Sequence, residues 1–539
     1  MAATGKEFRD RLWPPADDPI PFVILRTVIR KKIEGGNPMK KTLSILLALC
    51  LLLGCVSAFA EKPTISQLAI NSYYSTVDLK DAYLLKKIAD NAGVTVDWNL
   101  LDPGTYAESV SPMLASGQDL ADVVMLPDLD TNQTYLSAGL FEPLDEHFDI
   151  MPNYKKFLDE NPIIKGSLTA VDGHIYYVPQ TVVTNNYQPV LMYNVRWLEK
   201  AGIEAPTTLD AFVEMLRYYK ENDMNGNGDA TDEIPMSIQS AFLPYMFGPA
   251  FGLDLVSGFY ADDEGKVHYA AYETEAYKKY LTFLNGLYNE GLLEVEFTSL
   301  NRDQIVERCA NETTGVTFDF SWQMSTLYSQ NSPGYDGEHG IFVGVAPLSG
   351  DHEGFYVGRN PVSNVFGINA KSQNLEAAIK YLDYAMSEEA QDLYVWGEEG
   401  LTYEVDENGA RHFLPRTTED STWFQGLGIN APNMPSQQSV PATDVLLAAW
   451  HVANDREFEE PYIRAPFPVV YSTTEEANTL SMYMVDLQTY VDERAVGFIS
   501  GTYSIEDEFD SYIAALQGLQ IDELLKVKQA QYDRFVAAK

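Results

Sequence analysis

The chain has 539 residues, 45% of them hydrophobic, with 33 Tyr, 25 Phe and 7 Trp. That is enough apolar material for two or more packed domains and excludes a disordered polymer. Acidic residues outnumber basic ones by 78 to 37, and residues 61–539 alone hold 73 acidic against 28 basic side chains. So negative a surface repels phosphate backbones and anionic bilayers, which disfavours nucleic acid as a partner.

Taken in chain order, the first legible element is an export signal that begins at Met39. Lys40 and Lys41 form a positive start, Leu43 to Val56 an apolar run, and Ala58-Phe59-Ala60 a small-x-small cleavage pattern before Glu61. The run is too short to span a bilayer, so residues 39–60 read as a signal peptide. Leu52-Leu53-Gly54-Cys55 also resembles a lipobox, which would lipidate Cys55, and both outcomes stay open. Residues 1–38 precede an authentic-looking start and are read as upstream translated sequence with no role in the fold. Cys309 is then the one cysteine of the exported chain. No disulfide is available within it, and Cys309 reads as a small buried apolar residue.

Residues 64–70 alternate as a strand, 82–92 read as a helix and 94–98 as a second strand. A helix near Tyr106–Ser116 ends at Gly117, and 121–126 form a buried strand. This β-α-β-α-β alternation predicts an α/β sheet of mostly parallel strands covered by helices. Strands follow at 175–178 and 190–193. A helix then opens at Thr207-Thr208, with Thr207 and Asp210 spaced as a capping box and Leu209, Phe212, Leu216 and Tyr219 on one face.

The loop after that helix, residues 223–235 (DMNGNGDATDEIP), is the most informative stretch of the chain. Asp223, Asn225 and Asn227 place oxygens on alternate residues, Gly228 supplies a tight turn, and Asp229, Asp232 and Glu233 add carboxylates. A hard cation such as Ca²⁺ takes about six to eight oxygens, and one short segment of this composition can deliver them. The predicted role is structural, a clamped loop.

A second α/β run follows, with a helix near 276–290, strands at 315–320, 340–346 and 365–370, and a helix from Asn374 whose Leu375, Ala378, Ile379, Leu382 and Met386 form one stripe. The last 60 or so residues read as helical, with Ser504/Asp507 opening one segment and 521–535 forming the last.

Residues 197–212 (WLEKAGIEAPTTLDAF) followed by the 223–235 loop resemble the family 1 extracellular solute-binding proteins of bacterial ABC transporters, the oligosaccharide-binding members above all. Residues 114–122 (LASGQDLAD), 172–176 (DGHIY), 374–383 (NLEAAIKYLD), 397–403 (GEEGLTY), 498–501 (FISG) and Phe509-Asp510 carry the same likeness in the same order, across 61–539. The resemblance implies a type II periplasmic-binding-protein fold, two α/β lobes hinged over a ligand cleft, with extra C-terminal helices. The expected lobes are 61–180 plus about 347–400, and 181–346 plus about 401–539. It also implies a Ca²⁺ in the loop and delivery of a carbohydrate to membrane permease subunits by a monomer. In relatives the cation loop is one residue shorter, so Thr231, Asp232 and Glu233 each remain candidates to close the shell.

In such a fold the ligand lies beyond the carboxyl ends of strands, where flat aromatic faces meet sugar C–H surfaces and planar polar groups meet hydroxyls. That criterion nominates Tyr73, Tyr74, Asp128, Asn185, Asn186, Tyr187, Trp322, Arg359 and Trp396, with Tyr73 and Trp322 foremost. No Gly-x-Ser-x-Gly elbow, His-Glu-x-x-His or phosphate-binding glycine loop occurs, and no catalytic residue is expected. Two alternatives remain: a receptor for a peptide or other organic solute, and a surface adhesin or sensor built on the same fold.

Overall fold

The structure, a computed structural model, describes residues 62–72, 78–126, 133–182 and 188–539. The signal region with Cys55 and Ala60, and the nominees Tyr73, Tyr74, Asp128, Asn185, Asn186 and Tyr187, lie outside the described residues. Residues 63–539 form one compact unit built on two main sheets.

Ten strands build those sheets: β1 (Thr64–Ile70), β2 (Thr95–Leu101), β3 (Val123–Leu126), β4 (Tyr177–Thr181), β5 (Pro189–Asn194), β6 (Ile234–Met236), β7 (Thr314–Phe320), β8 (Phe342–Gly344), β9 (Val362–Ile368) and β10 (Ser436–Gln437). The first sheet has the order β10-β4-β9-β3-β1-β2. β1 pairs in parallel with β2 and β3, as the expected β-α-β-α-β run requires, with helices Tyr83–Asn91 and Tyr106–Ser116 as crossovers. β9 alone runs antiparallel, between β3 and β4. The reason lies in the chain path. The chain leaves the first sheet at the carboxyl end of β4, builds the second sheet, and re-enters beside its exit point, where Val362 pairs with Thr181. A strand entering from that edge must run backwards. This returning strand, placed between the third and fourth, gives the type II arrangement expected of two α/β lobes.

The second sheet has the order β8-β5-β7-β6, with β5 antiparallel to both neighbours and β6 parallel to β7. Its core holds Leu209, Phe212, Leu216 and Tyr219, all buried as the helical stripe predicts. Gly315 in β7 lies so close to this core that a Cβ there would sit 2.5 Å from the Trp197 ring and 2.8 Å from Tyr219. These two rings meet edge to face at 5.1 Å. Cys309 is buried in the same core, as expected.

Two details differ from expectation. The helix Leu209–Glu221 is capped by Thr208, whose hydroxyl accepts from the Ala211 N–H at 3.3 Å; with Ala at the third helical position there is no capping box. Thr207 is engaged elsewhere, its carbonyl accepting from the Ser349 N–H and hydroxyl. The first sheet also reaches past residue 400. β10 pairs with β4, and Phe424, Ile429 and Met434 share a core with Leu84, Leu85 and Trp396. A two-residue strand has no alternation to read, so sequence could not place it.

Candidate functional site

The two sheets are joined at the chain crossings. Residues 182 and 188 flank the first crossing, and its return is tied to it by the Val182 N–H, which donates to the Pro361 carbonyl at 3.0 Å. Ser321, just past β7, donates its N–H to the Gln188 carbonyl at 2.8 Å. A short parallel ribbon pairs Tyr356–Val357 with Ile463–Arg464, and the Gly358 N–H donates to the Arg464 carbonyl at 2.7 Å. The carboxyl ends of β4 and β7 and the start of β9 thus converge, the place where α/β sheets bind ligands.

A cavity of about 540 Å³ opens there. Its apolar wall includes Phe320, Tyr245, Phe259 and Phe467; its polar groups include Gln188, Arg359, Asn360 and Lys528. The aromatic rings are held from behind. Phe242 meets Phe320 edge to face at 6.1 Å and Tyr245 at 5.8 Å, while Phe467 stacks on Tyr532 at 5.8 Å. Lys528 lies 5.7 Å from the Phe259 ring centre and 6.0 Å from that of Phe467. Asn360 fixes the local turn by accepting from the Val362 N–H at 3.0 Å. Beside it, the exposed tip of Arg359 makes no ion pair or hydrogen bond among the described residues. Surrounding protein lowers its pKa, with Tyr245 opposing, and the guanidinium stays charged.

Of the described nominees, Arg359 lines the cavity. Trp322 stands two residues beyond Phe320, half-buried, at the entry to a π-helical turn over Met324–Ser329, and its carbonyl accepts from the Thr326 hydroxyl at 2.7 Å. Trp396 is placed elsewhere. Its indole is buried 5.0 Å from Phe413 and 5.9 Å from Tyr403, with the Arg411 guanidinium 5.4 Å from the ring centre. It packs the first lobe and is not presented to the cavity. Sequence reasoning missed Tyr245, Phe259, Phe320, Phe467, Asn360 and Lys528. The Pro466-Phe467-Pro468 run was the one available signal, since two prolines around an aromatic mark an extended crossing.

Behind the first crossing lies a buried polar chain on helix Ala449–Phe458. His451 Nδ1 is 2.5 Å from the Ser325 hydroxyl, His451 Nε2 is 3.3 Å from Asp455, and Glu459 accepts the Gln188 N–H. Burial pushes the Asp455 carboxyl up to about 7 and raises Glu459 well above its ordinary value; it pulls His451 down to about 4. Between about pH 4 and pH 7 the group is therefore neutral at its centre.

The 223–235 loop turns as its sequence requires, with Gly226 at φ 82° and Gly228 at φ 93°. Asp223 accepts from the Gly226 and Gly228 N–H groups at 2.6 and 2.9 Å. Asp232 accepts from the side-chain amides of Asn225 (3.3 Å) and Asn227 (2.7 Å). Asp229 is engaged with Thr231, and Glu233 accepts from the Met224 N–H at 2.7 Å. One oxygen each of Asp232 and Glu233 is buried with no hydrogen-bond partner. Among the described residues no three His, Cys, Asp or Glu side chains group to hold a metal. The loop's donor set is mixed, carboxylates with Asn carbonyls, and its two orphaned carboxylate oxygens are the kind a hard cation satisfies.

Among known proteins, the chain is 27% identical over 516 residues to FusA, a fructooligosaccharide ABC transporter substrate-binding protein of Streptococcus pneumoniae, covering 90% of this chain and 93% of that one. Its fold is similar to that of a solute-binding protein from Bifidobacterium longum infantis that is described as binding HMO and associated with an ABC transporter (TM-score 0.74, 22% identity, 88% and 99% covered). It is also similar in fold to an EF-hand mutant of FusA in complex with fructo-nystose (TM-score 0.68, 23% identity, 88% and 100% covered). The family model of the bacterial extracellular solute-binding proteins matches residues 77–392, more than half of the chain, and the protein belongs to that family.

Proposed function

We propose that the protein is the receptor of an ABC importer, taking an oligosaccharide between its lobes and handing it unaltered to permease subunits. The carrying observation is the cavity at the chain crossings, where aromatic faces and planar polar groups from both sheets share one wall. Sugars present C–H faces and hydroxyls, and this lining offers a partner for each. FusA, similar over nearly its whole length, binds ligands of that class. Ligand contacts to both lobes would favour the closed form, because only differential affinity shifts such an equilibrium. Trp322 and Arg359, with Tyr73, Tyr74, Asp128, Asn185, Asn186 and Tyr187 beyond the ends of β1, β3 and β4, are the assigned ligand contacts.

The 223–235 loop holds a structural Ca²⁺ in this reading, through Asp223, Asn225, Asn227, Asp232 and Glu233, with Asp229 beside them. The orphaned oxygens of Asp232 and Glu233 support it, as does the EF-hand of FusA. The chain is exported, and either Cys55 is its lipid anchor or cleavage follows Ala60. Thermal-shift screening against glycans and peptides tests the receptor assignment through binding linkage. A rise of several degrees with one glycan family, none with peptides, and recovery of the glycan unchanged are the expected results. Silence towards every glycan would refute it.

A further inference from the structure

Resting on that receptor reading, we propose that the oligosaccharide carries a carboxylate, as a uronic acid does, and that Arg359 is the group that reads it.

The chain is overwhelmingly acidic, with 78 acidic and 37 basic residues. Most arginines of such a chain find carboxylates. Arg217 grips Glu290, Arg302 grips Asp319, Arg411 grips Asp392 and Arg534 grips Glu476, each with two guanidinium contacts between 2.6 and 2.9 Å. Arg416 and Arg464 lie instead over the Trp423 and Phe355 rings, at 4.1 and 4.3 Å, whereas Arg359 has neither an acid nor a ring partner among the described residues. The cavity stands apart too. No Asp or Glu appears among its described lining residues, whereas two cations, Arg359 and Lys528, do. A recess whose described lining holds two cations and no acid is an unusual thing to find in a surface of this charge.

Its backbone is also built to hold still. Gly358 on one side is tied to Arg464, Asn360 on the other closes onto Val362, and Pro361 accepts from Val182 across the crossing. The guanidinium is therefore presented from a fixed turn at the hinge. When two lobes close there, water leaves. A cation stripped of water without a counter-charge is costly, and the described lining residues supply none. A ligand carboxylate would supply it, and a planar guanidinium matches a carboxylate with two parallel hydrogen bonds. The charge would then act where specificity is set, since a ligand lacking it leaves Arg359 unpaired in the closed form.

Calorimetric titration of the purified chain decides the matter. The probes are oligogalacturonides, oligoalginates and glucuronate-bearing xylo-oligosaccharides, each beside its carboxyl-reduced counterpart, with neutral fructo-oligosaccharides and their sulfate esters as further arms. One acidic probe is expected to bind about tenfold or more tighter than its reduced counterpart, and more weakly as salt rises. Arg359→Gln should erase that preference at an unchanged melting temperature, and Arg359→Lys should restore part of it. Preferential binding of a neutral glycan, unaffected by Arg359→Gln, overturns the inference and leaves the receptor reading intact. Preference for a sulfate ester overturns the carboxylate assignment. Failure of every glycan overturns the receptor reading and this inference with it.

Discussion

Asp455 offers the sharpest test of how the hinge is held. Its carboxyl is 1% exposed, one helical turn from Glu459, which is 2% exposed and accepts the N–H of Gln188 at the first crossing. Burial raises Asp455 from 3.8 to about 7; contact with Glu459 and the charge of Arg456 lower it, while Asp444 and Glu460 raise it. Tyr356 and Tyr462 complete the surroundings: burial above all, and then Glu459 and Tyr462, raise the Tyr356 hydroxyl. The folded chain thus keeps a proton that the unfolded chain releases near the ordinary aspartate value. Between those two values the native state binds more protons, so this contribution is complete below about pH 4, declines as pH rises, and is gone above about pH 7. At about 1.4 kcal/mol per pH unit, the loss between about pH 5 and pH 8.5 is about 3 kcal/mol. His451, pulled down to about 4, works in the opposite direction, gaining stability as pH rises towards its ordinary value.

The perturbation is Asp455→Asn, which keeps the shape and removes the titration. Both proteins retain His451, so its term drops out of the comparison. With an unfolding entropy of roughly 2.1 cal/mol/K per residue over about 480 residues, a loss of about 3 kcal/mol corresponds to about 3 °C. Differential scanning calorimetry at about pH 5 and about pH 8.5, at fixed ionic strength, reads the difference. The variant's melting temperature should gain about 3 °C on the parent across that interval. Parallel curves for the two proteins would refute the buried, proton-holding carboxyl.

Three other outcomes are expected. Trp322→Ala should weaken glycan binding by about tenfold or more at unchanged melting temperature, as loss of a stacking face would; undiminished affinity in calorimetry places Trp322 outside the ligand contacts. Chelation should lower the melting temperature, with Ca²⁺ but not Mg²⁺ restoring it, and Glu233→Gln should remove that sensitivity; a chain indifferent to chelator carries no cation there. Gly315→Ala should cost about 1–3 kcal/mol in denaturant unfolding, because its Cβ would meet the Trp197 ring at 2.5 Å; an unchanged midpoint would mean that ring can yield.

Much of this fold could be read from residue order because its elements announce themselves locally. The alternation at 64–70, the stripe through Leu209, Phe212, Leu216 and Tyr219, and the glycines of the 223–235 loop all depend on neighbours within one turn or one strand. What stayed hidden depends on distant partners. Ser436–Gln437 becomes a strand only because β4 offers an edge, and the sheet thereby extends past residue 400. Thr208 and not Thr207 caps its helix, and Ser349, far along the chain, holds both residues in place through the Thr207 carbonyl and the Leu209 N–H. The cavity is the extreme case, since Gln188, Tyr245, Phe320, Arg359 and Lys528 come from five separate stretches. Arg359 was legible as a residue beside a crossing. Trp396 satisfied the same rule, yet Phe413 and Tyr403 draw it inward.

The 223–235 loop and the cavity are joined by one mechanical path. The loop ends on β6, Met236 of β6 pairs with Val316 of β7, and β7 ends at Phe320 in the cavity wall. Just past it, Ser321 and Glu459 take opposite sides of Gln188, one donating to its carbonyl and the other accepting from its N–H. A loop clamped by the proposed cation would thus fix the start of a strand whose far end carries both an aromatic face and the anchor of the first crossing. The buried acid pair is suited to that anchor because a neutral carboxyl can be enclosed without a counter-ion, whereas an ionised one would draw water into the hinge. Rigid strands on each side with polar closure confined to a few crossings is the arrangement in which two lobes can rock as bodies while their ligand groups keep their geometry.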